Sequence, residues 1–348
     1  MKFSTLPIFF DVYILATFSL TAVNVGTFPL GESDRIVTMF ARERGLHRAV
    51  AKGARKPGTK LSGKSEPLNI NRMLLAKGRS LDIITQCESV ETFGSLRKDL
   101  QRLSYALYYA ELTQAFGQGL SEDAMRYFDR LSLSIGLMAE SPREPAFLCL
   151  EFEFALLEML GLRPELDMCV ACREPLHEQN LSSFNHDLGG FLCRPCYQLM
   201  RRRASQSGES RQEPDSGHDG SMAVAESQAL FDGKIVDLKR RPVVEGIEPG
   251  HENERDTQLA LGNISRRREA IEGERANVFV TPVVWKQLIL ARTSSELLNN
   301  GLTADALLDN EHNQGKSLHS ARRVMQGYIE YKAGRRFKAL DLLANLPS

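Results

Sequence analysis

The chain has 348 residues, long enough for two or three domains. Lys plus Arg equals Asp plus Glu at 44 each, so the net charge excludes nothing about partners and the local charge distribution must carry that argument. Four of the six cysteines are spaced as metal ligands, which argues against a disulfide-stapled secreted domain.

Lys2 precedes an apolar run over residues 3–20 that resembles a signal peptide or a membrane anchor. Pro7 and Asp11 interrupt the run, and it lacks an uninterrupted span of about 18 to 20 apolar residues. Residues 1–20 are therefore expected to be an N-terminal extension of a cytoplasmic protein with no stable membrane partner.

Short strands are expected next, over residues 22–28, 34–40, 46–54, 68–76 and 80–90. Ile36, Thr38 and Phe40 alternate, Gly45 marks a hairpin turn, and residues 55–66 form a loop. Five strands within residues 21–92 suit a small closed barrel of the oligonucleotide-binding (OB) kind. Between Gly31 and Ser80 there are twelve basic residues and only four acidic ones, a local excess that suits a polyanion. Arg35, Arg42, Arg44, Arg48, Lys52, Arg55, Lys56, Lys60 and Lys64 are the candidate phosphate contacts. Arg55 and Lys56 stand out because Gly53 and Pro57 flank them in an exposed turn. Base stacking has less support, since the expected binding face offers few aromatics.

Within this stretch Gly58, Gly63, Lys64 and Ser65 match the phosphate-loop pattern G-x-x-x-x-G-K-S. Such a loop needs a strand before it and a helix after it. Here Glu66-Pro67 follows at once and residues 68–76 read as strand. A basic loop lying against phosphates is the favoured reading. An ATPase using Lys64 and Ser65 is the alternative, and an RNA-binding barrel is another.

Residues 93–161 read as helical, with Leu96, Leu100, Leu103, Leu107 and Leu112 near helical spacing and Tyr105, Tyr108 and Tyr109 as core. Ser141-Pro142 is a break, and residues 147–162 form a strongly apolar helix. Cys169, Cys172, Cys193 and Cys196 then fit the C-x2-C…C-x2-C pattern of a four-thiolate zinc ribbon. Such a site is closed, so one structural zinc per chain is expected rather than a catalytic one. Gly189-Gly190 signals the turn inside the ribbon, and His177 and His186 are spare ligands at best. Cys87 and Cys149 read as core residues. Residues 201–277 are polar, charged and poor in large apolar residues, and are expected to be a mostly disordered insertion. Helices resume over 278–348, with Trp285, Leu288 and Ile289 on one face and a second helix over 318–331.

Several segments together resemble the RecO family of bacterial recombination mediators. GESDRIVTMFARERGLHRAVAKGARKP (31–57) and EPLNINRMLLAKGRSLDIITQCESVETF (66–93) resemble its barrel. ELDMCVAC and GGFLCRPC resemble its zinc-bearing region, and VMQGYIEYKAGRRFKALDLL (324–343) is similar to its closing helix. The resemblance covers roughly three-quarters of the chain and leaves out the N-terminal extension and the insertion after Arg203. It implies an α+β protein: an N-terminal five-stranded OB-fold barrel, then a helical C-terminal domain (93–200 and 278–348) carrying the zinc ribbon (169–196). It also implies a non-enzymatic role. Such proteins bind single- and double-stranded DNA, anneal complementary strands, and act with RecR to help RecA replace single-strand-binding protein.

Overall fold

The computed structural model describes residues 16–208, 277–302 and 315–341. Residues 1–15 of the extension expected over 1–20, and residues 209–276 of the insertion expected over 201–277, lie outside the described residues.

Five strands close into a barrel: β1 (Thr17–Leu30), β2 (Asp34–Ala41), β3 (Gly45–Ala51), β4 (Ile70–Ala76) and β5 (Asp82–Glu91). Their order around the barrel is β1-β2-β3-β5-β4, with β3 and β5 parallel and a short helix α1 (Lys60–Lys64) between β3 and β4. This is OB-type topology. Side chains two apart share a face, so Leu20, Ala22, Val37, Met39, Ala41, Ala49, Ala51, Met73, Leu75 and Ile84 converge inside. The many alanines allow a narrow barrel. β1 is long because it pairs with β4 through Thr17–Val23 and with β2 through Ala22–Leu30. It therefore begins inside the stretch expected to be an extension. Leu20 is buried and Phe18 packs on the same core, so part of the N-terminal apolar run is barrel interior.

The helical part contains α2 (Leu100–Phe116), α3 (Ala124–Glu140) and α4 (Pro145–Met159), with two single 3-10 turns at Gly94–Lys98 and Gly117–Leu120. The Asp99 side chain accepts the N–H of Arg102 and so fixes the start of α2. Every residue of α4 from Pro145 to Leu157 is buried, which makes it the central helix. Tyr105, Tyr108, Tyr109 and Tyr127 are fully buried core residues. Cys149 is buried, and Cys87 is half-buried against the barrel core.

β6 (Leu181–Asn185), β7 (Gly190–Cys193) and β8 (Asn277–Phe279) form a second sheet in the order β7-β6-β8. α5 (Arg194–Gly208) follows β7 directly. It runs past the expected start of the insertion at 201, because Arg, Ala and Gln continue a helix readily whether or not they bury anything. β8 lies beyond the insertion in sequence yet pairs with β6, Phe184 opposite Val278. Thr281 caps α6 (Pro282–Asn299), and α7 (Gly315–Ala333) packs with α6 against α4. Among the described residues, no helix is long and apolar enough to cross a membrane.

Candidate nucleic-acid interface and metal centre

The nine basic candidates do not form one patch. Arg42 and Arg44 sit at the β2–β3 turn, whereas Lys52, Arg55 and Lys56 follow β3 at the other end of the barrel. At ~3.3 Å per strand residue the two groups are about 20 Å apart. Arg42 makes a two-pronged ion pair with Asp129 of α3, at 2.9 and 3.1 Å, which fastens the barrel to the helices. The Arg44 guanidinium lies 4.1 Å over the ring of Phe18. Arg35 shares the inner face of β2 with Val37 and pairs with Glu66 at 2.6 Å.

The loop end is built differently. Arg55 donates from its guanidinium to the carbonyl of Gly31 and from its backbone to Ser33 at 2.9 Å, stapling the β3–α1 loop to the β1–β2 turn. The Asp34 carboxylate accepts the N–H of Gly53 and the hydroxyl of Ser33, both at 2.8 Å. These bonds, with Lys52 and Lys56 nearby, hold the Asp34 carboxyl below its ordinary value. Around this stapled frame Lys52, Lys56 and Lys60 are exposed, and Arg48 is exposed on the outer face of β3. None of these four has a carboxylate partner within ion-pair distance among the described residues.

The phosphate-loop match falls on a short helix that is followed by strand β4 rather than opening a long helix. α1 has five residues and plugs one end of the barrel. Asn24 and Asn71 both donate to the carbonyl of Lys64, at 2.8 and 3.0 Å, and Asn69 donates to that of Gly63 at 2.8 Å. The Lys64 ammonium donates to the carbonyl of Cys87 at 2.6 Å. The Ser65 hydroxyl donates to the carbonyl of Ser62 and accepts from Arg35. The Lys64 ammonium and the Ser65 hydroxyl, the two side chains a phosphate loop would use, are engaged within the barrel. Asn24 of β1, Asn71 of β4 and Asn69 just before β4 satisfy carbonyls of one short helix, a pattern no local sequence rule exposes.

The helical part packs on the outer face of β1–β2–β3 through a few contacts. Phe40 meets Tyr127 with ring centroids 4.8 Å apart, and Gly117 fits against Leu46 and Phe40. Gln114 lies over Gly26 and donates to the carbonyl of Val25 at 2.6 Å. Beyond that row the face is open and carries Phe28, 70% exposed, an aromatic that the sequence reading did not single out.

The four cysteine sulfurs lie within 4.8 Å of one another, and those of Cys172 and Cys193 are 3.7 Å apart. A tetrahedral ion with bonds of about 2.3 Å to sulfur separates its ligands by about 3.8 Å. The residues present thus fit a four-thiolate metal site. Gly189 takes a left-handed conformation at the β6–β7 turn, and a side chain at Gly190 would strike the carbonyl of Glu165. Only glycine lets the second cysteine pair approach the first so closely. Burial pushes the Cys193 and Cys196 thiols up. At Cys169 burial acts the same way, but the N–H groups of Cys172, Cys193 and Ala171 prevail and bring the thiol down to about 6. Such competition among adjacent thiols is what a dication relieves. His177 and His186 stay outside the cluster. His177 bonds Gln179, and His186 lies among Phe184, Tyr328 and Tyr331 with burial pushing its pKa down.

Fold and site together define an OB-barrel protein with a helical part and a thiolate metal ribbon. The family described as Recombination protein O N terminal matches residues 15–93, and Recombination protein O C terminal matches 97–212. A DNA repair protein RecO of Nostoc sp. is 33% identical over 208 residues, which is 57% of this chain and 70% of the relative. Those of Gloeobacter violaceus and Symbiobacterium thermophilum are 35% and 37% identical, covering 52% of this chain and 69% and 72% of the relatives. The chain belongs to the RecO family of DNA repair proteins.

Proposed function

We propose that the chain is a non-hydrolysing DNA-binding mediator of recombinational repair. It binds single- and double-stranded DNA through the barrel, anneals complementary strands, and with RecR helps RecA replace single-strand-binding protein in the cytoplasm. The observation that carries this reading is the set of exposed cations Arg48, Lys52, Lys56 and Lys60, without an ion-pair partner among the described residues, near a stapled loop and the exposed Phe28. Cations on such a surface neutralise phosphates without reading bases. Two strands held there repel each other less, so pairing needs no nucleotide. Of the nine candidates, these four and Arg55 are the principal contacts. Arg35, Arg42, Arg44 and Lys64 contribute through the shape and field of the barrel.

The metal in this reading is one zinc ion, held by Cys169, Cys172, Cys193 and Cys196. Four soft thiolates in tetrahedral disposition favour it, and a closed ligand set gives it a structural role. The working units are the barrel, the helical part with its ribbon, and the segment between Arg203 and β8.

The test is annealing of complementary DNA strands without nucleotide across a salt series. Annealing, with log affinity for single strands falling by about 0.7 per phosphate contact against log salt, is the expected result. No annealing and a flat slope would overturn the reading. Preference for RNA in direct competition would move the function to RNA.

A further inference from the structure

β1 changes face at a bulge. Its register with β2 shifts between Asn24 and Gly26. Before the bulge Leu20 and Ala22 point into the barrel core. Unbroken alternation would carry the same inward direction on to Phe28. After the bulge Phe28 lies opposite Ile36, whose own neighbours Val37 and Met39 are core residues on either side of the outward Thr38. Phe28 is therefore turned outward. Bulges re-aim side chains in this way.

The outward row continues across the sheet. Ile36 lies opposite Val50, and Val50 opposite Ile83. All three are half-buried, while Phe28 is 70% exposed and Leu30, two residues on, is 40% exposed. The helical cover stops one row short, where Gln114 sits over Gly26. Arg48 stands in that neighbouring row, opposite Thr38, and is exposed. The β3–α1 segment at the end of the row carries the exposed Lys52, Arg55, Lys56 and Lys60, and Arg55 donates to the carbonyl of Gly31 in the β1–β2 turn.

We propose that Phe28 is a stacking platform for an unpaired nucleobase of single-stranded DNA. The bulge presents the ring, and the cations beside it take the flanking phosphates. An apolar protein surface is a poorer occupant, because one exposed ring bordered by cations suits an anionic aromatic strand. Single strands offer unpaired base faces, whereas a duplex keeps its bases stacked. This inference rests on the DNA-binding reading above and adds to it a contact selective for single strands.

The experiment uses the full metal-loaded chain, labelled oligo-dT and a labelled duplex, with binding read by fluorescence anisotropy across a salt series. Phe28→Ala is expected to weaken oligo-dT binding roughly five- to 150-fold, the effect of losing one stacked base. The salt slope and the duplex affinity should stay unchanged. Phe28→Trp should restore binding, and oligo-dT should quench its emission against the background of the single native Trp285. Arg48→Ala should instead lower the salt slope by about 0.7. If the wild type binds oligo-dT while Phe28→Ala binds equally well and the Phe28→Trp emission is unmoved, the platform is overturned and DNA binding stands. A Phe28→Ala effect confined to the oligomeric state, or a changed salt slope, overturns it too. A wild type that binds no DNA overturns the parent reading and the platform with it.

Discussion

The ammonium of Lys64 donates to the backbone carbonyl of Cys87 at 2.6 Å, across the barrel from α1 to β5. The lysine that gives the sequence its phosphate-loop appearance thus ties the plug helix to a strand. Lys64→Ala should lower stability by about 1.5 to 3 kcal/mol, the worth of a charge-assisted hydrogen bond, and leave ATP turnover at background. Denaturation and phosphate release on wild type and variant check this. An ATPase activity that vanishes in the variant at unchanged stability would return the loop to nucleotide chemistry.

Metal removal should loosen the ribbon first. Protein purified without chelator is expected to hold one zinc per chain, and less than half an equivalent would remove the claim. Cys169→Ser should destabilise the ribbon by several kcal/mol, since a structural zinc contributes on the order of 10 kcal/mol to folding in zinc-finger peptides. Among the described residues β8 pairs only with β6, so amide exchange at Val278 should accelerate on chelation. Protection unchanged by chelation would contradict a structural metal.

The basic residues should separate into two classes in a salt series. Lys52→Ala, Lys56→Ala or Lys60→Ala should each lower the single-strand salt slope by up to about 0.7. Arg42→Ala removes a half-exposed ion pair to Asp129, so it should change stability little and leave the slope intact. A larger slope change for Arg42 than for Lys56 would place the DNA at the wrong end of the barrel.

Glu153 is fully buried in α4, where it accepts the Tyr108 hydroxyl of α2 at 2.9 Å, with Arg322 and Glu330 of α7 near it. Burial pushes its pKa from 4.5 up to about 8, against the opposing pull of Arg322 and Tyr108. The folded pKa lies above the unfolded one. The associated stability is therefore complete below pH 4.5 and is lost as pH rises toward 8. The loss is at most about 1.4 kcal/mol per pH unit in that window. Glu153→Gln should match the wild type near pH 4 and exceed it in stability at pH 8. Parallel stability curves for the two proteins would show that the carboxyl is already ionised in the fold.

Much of the architecture was legible because its signals are local. The first cysteine pair sits on a tight turn, the second spans the end of β7 and the first turn of α5, and Gly189-Gly190 signals the turn between β6 and β7. The barrel strands announce themselves by alternation. The first strand was misjudged at its start, because a long apolar run looks the same whether it enters a membrane or a barrel core. β8 was missed because three residues pair across a gap of more than ninety in sequence from β6. No periodicity can register in so short a strand.

By itself the sequence determined the four-thiolate clamp, the local surplus of positive charge and the succession of strands and helices. Each depends on the spacing of residue types along the chain. Only the tertiary structure decided which charges are free. Arg42 is taken by Asp129 and Lys64 by Cys87, partners distant in sequence. It also decided that a bulge turns Phe28 out of the barrel, because facing depends on the register between two strands and not on either strand alone.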